Sequence, residues 1–226
     1  MFSWLFRPQC AACAAPTPIL CEPCAGTLVD LGPACPRCAD PAGGAAVCGR
    51  CRASPPPVDR SLALWQFGGQ LAVAIRRLKY ARAVHVAREL APLWAPLVGA
   101  VAIEHDAAVV PVPMHWRRRA RRGYDHAWLL GLHVCAEARI AAPQPLLVRT
   151  RAAPPQASLT AEIRRANLEG AFAVRDPSAV AGRSIVLVDD VITTGATISA
   201  AARALLAAGA TEVIAIALAR ATSARG

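Results

Sequence analysis

The chain has a single lysine, Lys79, among its 25 basic residues. Its positive charge is therefore carried almost wholly by arginine, whose planar fork suits phosphate and carboxylate groups. Such a bias follows genome composition, and a lysine that survives it marks a position where a compact ammonium is wanted. Acidic residues are also few, 15 in all, which leaves a net charge of +10. That balance favours anionic partners: polyphosphates, nucleic acid, or both. No apolar run reaches the roughly 18 residues that a membrane span needs. The segment Phe2-Ser3-Trp4-Leu5-Phe6 is too short for a signal-peptide core and has no cleavage site after it. A cytoplasmic protein is expected. With 55% hydrophobic residues in 226, extensive disorder is excluded, and the length suits one domain of about 150 residues plus a small module.

Cysteine, by contrast, is abundant and ordered. Eight of the nine cysteines form four Cys-x-x-Cys pairs: Cys10/Cys13, Cys21/Cys24, Cys35/Cys38 and Cys48/Cys51. Two thiolates at this spacing reach one metal from a tight knuckle turn, and two knuckles complete a tetrahedral zinc site. Disulfides are the weaker reading in a reducing compartment, and a redox dithiol has no use for four copies. Eight ligands imply two structural zinc ions. Consecutive pairs are the simplest sharing, with nested and alternating arrangements still open. Residues 1 to 53 hold few large apolar side chains, so metal binding must supply their folding energy. A stiff linker at 54–60, opening with Ser54-Pro55-Pro56-Pro57, separates this double zinc-ribbon head from a domain at 61–226. Cys135 stands alone in an apolar helix and reads as a small core residue.

Beyond the linker, strand and helix patterns alternate, which predicts an α/β fold on a parallel sheet. Strands are expected at 61–67, 107–112, 145–149, 170–174, 184–188 and 212–219, with helices at 70–80, 84–98, 124–140 and 198–208. The most informative stretch is Ser184-Ile185-Val186-Leu187-Val188-Asp189-Asp190-Val191-Ile192-Thr193-Thr194-Gly195-Ala196-Thr197. It reads as a short buried strand, two carboxylates where it runs out, a hydroxyl loop, and a helix start. Unpaired amides at a helix N-terminus suit a phosphate, and glycine lets the chain approach it closely. Asp189 and Asp190 suit sugar hydroxyls, or a divalent cation held through waters. Open α/β sheets place ligands at this kind of strand end.

That stretch resembles the signature of type I phosphoribosyltransferases, which bind 5-phosphoribosyl 1-diphosphate (PRPP). With the cysteine-rich head, the whole chain resembles the ComF family of bacterial competence proteins. The resemblance implies that Asp189 and Asp190 hold the ribose hydroxyls, that Thr193, Thr194, Gly195, Ala196 and Thr197 cradle the 5′-phosphate, and that Mg2+ accompanies PRPP. It places a diphosphate loop after Pro111-Val112-Pro113, with the amides near Met114 and His115 meeting the diphosphate beside Arg117, Arg118, Arg119, Arg121 and Arg122. Related sequences read Gly-Phe-Asn-Gln where this chain has Gly123-Tyr124-Asp125-His126, which puts the local ligand in doubt. Residues 150–172 resemble a mobile hood through Gln156, Leu159, Arg164, Asn167 and Phe172; such a lid excludes water from a forming oxocarbenium ion. Arg164 and Lys79 are the candidates for a catalytic role.

Two functions stay open on this reading, beside the plain third one of a retired enzyme fold that serves as a non-catalytic, single-stranded-DNA-binding scaffold. One is a phosphoribosyltransferase that releases diphosphate as a nitrogen nucleophile attacks the anomeric carbon, although no general base or acceptor pocket is legible and Cys10 belongs to a knuckle, not to a glutaminase. The other is a PRPP-binding factor in DNA uptake that holds single-stranded DNA, with a helicase-like competence protein as partner. Trp116 beside arginines suits a base of such a strand.

Overall fold

The computed structural model describes residues 8–41, 44–151 and 170–222. The segment 2–6, and Gln156, Leu159, Arg164 and Asn167, lie outside them.

Strands β1 (Arg60–Gln66), β2 (Ala108–Pro111), β5 (Ser184–Ile192) and β6 (Glu212–Arg220) form a wholly parallel sheet in the order β1-β6-β5-β2. Residues of β5 and β6 alternate between two apolar clusters. Val186, Val188, Ile214 and Ile216 face one, and Ile185, Leu187, Val213 and Ala215 face the other. A strand covered on both sides has no polar face, and so these strands read as continuous apolar runs.

On the first face lie α3 (Gly69–Tyr80), α4 (Val86–Leu90), α5 (Ala95–Glu104) and α7 (His126–Glu137). The single helix expected over 84–98 is broken. Pro92 sits in a 3-10 turn at Ala91–Leu93 and Pro96 in the first turn of α5, the one place where a missing N–H does no harm. Helix α7 sits tightly on the sheet at Gly131, where a Cβ would lie 2.5 Å from Pro111 Cγ. The second face carries α8 (Ala196–Ala207) and an antiparallel pair, β3 (Leu147–Arg149) with β4 (Phe172–Val174). The basic run after His115 forms a short helix of its own, α6 (Trp116–Arg122), with no buried residue.

The head, with its small helices α1 (Glu22–Ala25) and α2 (Gly49–Ala53), is stitched to the core. Cys10, Ala11, Leu20 and Cys24 belong to the first-face cluster together with Leu71 and Ile75 of α3. Arg77 donates to the carbonyls of Cys10, Ala11 and Ala12. Leu31 donates to the carbonyl of Leu64 in β1, and Ser61 to that of Pro36. In the 54–60 stretch, Val58 is fully buried, and Asp59 both donates to the Val213 carbonyl and accepts the Val213 amide.

Candidate functional site

The carboxyl end of β5 lies between β2 and β6, where the chain leaves the sheet for α8. The strand does not end before the acid pair: pairing with β6 continues to Ile192. Alternation along a strand then sends the two acids to opposite faces. Asp190 turns inward and is 3% exposed, while Asp189 is half-buried.

Asp190 is not a free sugar-binding group. Its Oδ2 lies 2.5 Å from Lys79 Nζ and 3.4 Å from His126 Nε2. Burial alone would push its carboxyl towards the neutral form, but Lys79 first, then His126, hold it well below the usual carboxylate range. Burial pulls the Lys79 ammonium down, but the Asp190 charge, the hydrogen bond to it and the Asp189 charge together raise it above its ordinary value. For Asp189 the balance is reversed: burial, then the neighbouring Asp190 charge, push its carboxyl up. Its Oδ1 accepts the Asp190 amide, and among the described residues it forms no salt bridge.

His126 was legible only as a departure from a pattern, yet it belongs to this cluster. Arg122 can only donate, so its 2.9 Å contact with His126 Nδ1 makes that nitrogen the acceptor and leaves Nε2–H for Asp190. Further bonds anchor the end of α3 that carries Lys79. Tyr124 Oη donates to the Leu78 carbonyl, and the Arg122 guanidinium lies 5.3 Å from the centre of the Tyr80 ring. His126, Asp189 and Asp190 place one ligand atom each within 4.8 Å of one another. The Lys79 ammonium already occupies the cation position on Asp190.

After β5 the loop opens to solvent. Thr193 is exposed, and Thr194, Gly195 and Thr197 are half-buried. Gly195 takes φ 77°, the left-handed region, and no atom lies within 4 Å of where its Cβ would be. Glycine is needed here for its backbone, and the space above it is clear. Thr194 Oγ1 accepts the Ala196 amide at 3.3 Å, which steadies the turn into α8. The loop is therefore an open helix start.

The stretch 114–126 behaves differently from the expectation for a diphosphate loop. The Met114 amide donates to Asp125 Oδ2 at 3.0 Å. His115 is 5% exposed, and its Nδ1 caps α6 by accepting from the Arg117 amide. Asp125 caps α7 through the Ala127 and Trp128 amides. The His115 ring and the Asp125 carboxylate thus cap the two helices, and the Met114 amide ties the entry to α6 to the turn before α7.

A residue not foreseen, Arg149, is close enough to Asp189 for their charges to interact. Its guanidinium sits 5.3 Å from the centre of the Phe172 ring, and its Nε is buried with no hydrogen-bond partner among the described residues. Burial and then Arg118 lower its pKa, while Asp189 opposes them. An unsatisfied buried donor beside Asp189 suits an anionic ligand. Trp128 and Tyr124, with Trp116, Arg119 and Arg175, line a separate cavity of about 750 Å³ at the β2 edge.

The cysteines resolve into two groups, Cys10/Cys13/Cys21/Cys24 and Cys35/Cys38/Cys48/Cys51, with the sulfurs of each within 4.8 Å of one another. The consecutive sharing holds. Tetrahedral zinc with Zn–S near 2.3 Å sets sulfurs roughly 3.8 Å apart, and Cys38 and Cys48 are 3.8 Å apart. The ribbons repeat one detail: the Cys21 amide donates to Cys10 Sγ, and the Cys48 amide to Cys35 Sγ. Both sets fit structural zinc.

Comparison with known proteins decides the kinship. Residues 143–226 match the phosphoribosyl transferase domain, and residues 1–52 match the double zinc ribbon domain. The chain is 33% identical over 199 residues to the DNA utilization protein YhgH of Salmonella typhi, covering 86% of this chain and 87% of the relative. It is 31% identical over 179 residues to Competence protein F of Haemophilus influenzae, with 77% and 78% covered. It is 27% identical over 197 residues to Competence protein ComFC of Bacillus subtilis, with 84% and 79% covered.

The chain belongs to the ComF family. In this ComF protein Asp189, Asp190 and the loop to Thr197 fall within the matched phosphoribosyl transferase segment, whereas Lys79 and His126 come from outside it. No single helix among the described residues is long and apolar enough to cross a membrane.

Proposed function

We propose that this ComF protein binds PRPP, with Mg2+, at the end of β5. The observation that carries the reading is the half-buried Asp189 followed by an open loop whose Gly195 has a positive φ and leads straight into α8. The loop amides and the hydroxyls of Thr193 and Thr197 would receive the 5′-phosphate, and the N-terminal end of α8 adds favourable partial charge. Asp189 would accept the ribose hydroxyls. Asp190, its charge balanced by Lys79 and its Oδ2 held by His126 Nε2–H, serves as the anchor that fixes the strand end. Asp189 is the acid that would hold the Mg2+ of the diphosphate, since Lys79 already answers the charge of Asp190; such an ion would supply charge neutralisation for the leaving group. Arg149, whose Nε has no partner among the described residues, and Arg118, whose charge it feels, would supply cations near Asp189.

The relatives' names, competence protein and DNA utilization protein, support a role in DNA uptake. One observation favours single-stranded DNA as a second ligand. All five arginines of α6 lie on a helix without a buried residue, and Trp116, 60% exposed, has the Arg117 guanidinium 5.3 Å from its ring centre. Arginines for phosphates beside an exposed indole for a base suit an unpaired strand.

Calorimetry with PRPP and Mg2+ tests the first reading. Wild type should bind and Asp189→Ala should not; equal binding by both would refute it. Screening amines and bases for diphosphate release then separates an enzyme from a PRPP-responsive binding protein. Titration with labelled single-stranded DNA should show affinity falling steeply as salt rises, and no binding at low salt would remove the second reading.

A further inference from the structure

The buried arginine at the end of β6 ties the phosphate loop to the second zinc ribbon. Arg220 is 3% exposed and donates to the carbonyls of Ile192, Thr193 and Ala221, where β5 passes into the loop. Its Nη2 lies 3.5 Å from Asp40 Oδ2. Asp40 belongs to the ribbon: its carbonyl accepts the Cys35 amide at 2.9 Å. The same Oδ2 lies 3.5 Å from Arg50 Nη2, which in turn contacts Cys38 Sγ at 3.4 Å. A continuous polar chain thus runs from a zinc ligand to the first peptide of the loop: Cys38, Arg50, Asp40, Arg220, Thr193. Beside this chain the ribbon and the start of α8 are separated by a cavity of about 530 Å³, bordered by Arg50 and Cys51 on one side and Thr194 and Ser199 on the other.

We propose that the second zinc ribbon holds the phosphate loop in its binding geometry through Asp40 and Arg220, with Arg220 acting as a positioning residue. The inference rests on the ribose-phosphate reading of the loop. A buried guanidinium needs a counter-charge, and removing one partner of such a pair leaves the other charge uncompensated. With Asp40 held by a zinc-bound knuckle, Arg220 stays inside and pins the Ile192 and Thr193 carbonyls. Because each peptide unit is planar, pinning those carbonyls orients the amides that follow. When the knuckle loosens, Asp40 leaves, Arg220 loses its counter-charge, and the loop loses its first fixed peptides. Among the described residues the first ribbon has no such link: its knuckle carbonyls are held by Arg77 on α3, on the first face of the sheet. Zinc in the second ribbon is thereby coupled to ligand binding, and zinc in the first supports the core.

Asp40→Asn in the full chain tests this, with zinc content, amide hydrogen exchange and PRPP calorimetry measured together. The expected result is two zinc ions retained, core amides of β5 and β6 exchanging as in wild type, faster exchange at 193–197, and PRPP affinity weakened by roughly fivefold or more. Arg220→Lys, which keeps the charge and loses the fork, should shift the loop in the same direction. Wild-type exchange and wild-type affinity in both variants would overturn the proposal. If Asp40→Asn does not fold, Arg50→Met, on the surface end of the chain, carries the same test. If wild-type protein binds no PRPP, the ribose-phosphate reading falls, and the exchange data alone decide the coupling: faster loop exchange upholds it and unchanged exchange overturns it.

Discussion

Lys79 and Asp190 face each other at 2.5 Å, with Asp190 almost wholly enclosed and Lys79 only 23% exposed. A buried pair contributes little over an apolar pair, but breaking it is expensive. Lys79→Met should therefore destabilise the protein by about 3 kcal/mol or more, measured by denaturant unfolding. A melting curve like that of wild type would show that Asp190 finds another partner. Asp189 has the opposite character. Its folded pKa is raised by burial and by Asp190, so between the ordinary carboxylate pKa and the raised one the folded state binds more protons than the unfolded state. Asp189 accordingly costs stability as pH rises through that window. Asp189→Asn should raise the melting temperature of ligand-free protein by a few degrees at pH 8, on the order expected for about 1 kcal/mol. The gain should shrink towards pH 4, and an equal gain at both pH values would contradict this account of the charge. The lone lysine was legible as a place wanting a compact ammonium. Its partner was not, because α3 and β5 are brought together only by the fold.

The elements divide by how local their causes are. The β5–loop–α8 unit was readable because strand, acids, hydroxyls and glycine are consecutive, and each has a local physical reason. The main error was one of extent: β5 runs on through the acids, since pairing with β6 continues to Ile192. The basic run at 117–122 showed no apolar periodicity, and it becomes a helix because His115 caps one end and Gly123, at φ 89°, closes the other. The turn before α7 was misleading for a related reason. Asp125 stood out only as a departure from the related pattern, and it is a helix cap that also takes the Met114 amide. Arg149 lay in a short strand whose partner is distant in sequence, so nothing local marked it. Gly195→Ala tests the loop. The space is open, so the cost is backbone strain of roughly 1–2 kcal/mol, and PRPP affinity should fall with it. A variant as stable and as tightly binding as wild type would show that the positive φ is not required.

At the scale of the whole molecule, the four knuckles were fully legible and their integration was not. Cys10, Leu20 and Cys24 lie in the same apolar cluster as Trp94 and Leu130, so the first ribbon completes one wall of the core. Thiolate spacing reveals a metal site but says nothing of which surface the site packs against. Chelation of zinc should therefore lower the stability of the entire chain, seen as one unfolding transition shifted to lower denaturant. Two separate transitions, with the later one unmoved, would show that the head and core fold independently. The central claim is the pocket at the end of β5, and calorimetry of PRPP with Mg2+ against wild type and Asp189→Ala addresses it most directly. Saturable one-to-one binding by wild type, abolished in the variant while its fold is kept, is the predicted result. Binding that survives unchanged in Asp189→Ala would contradict the account.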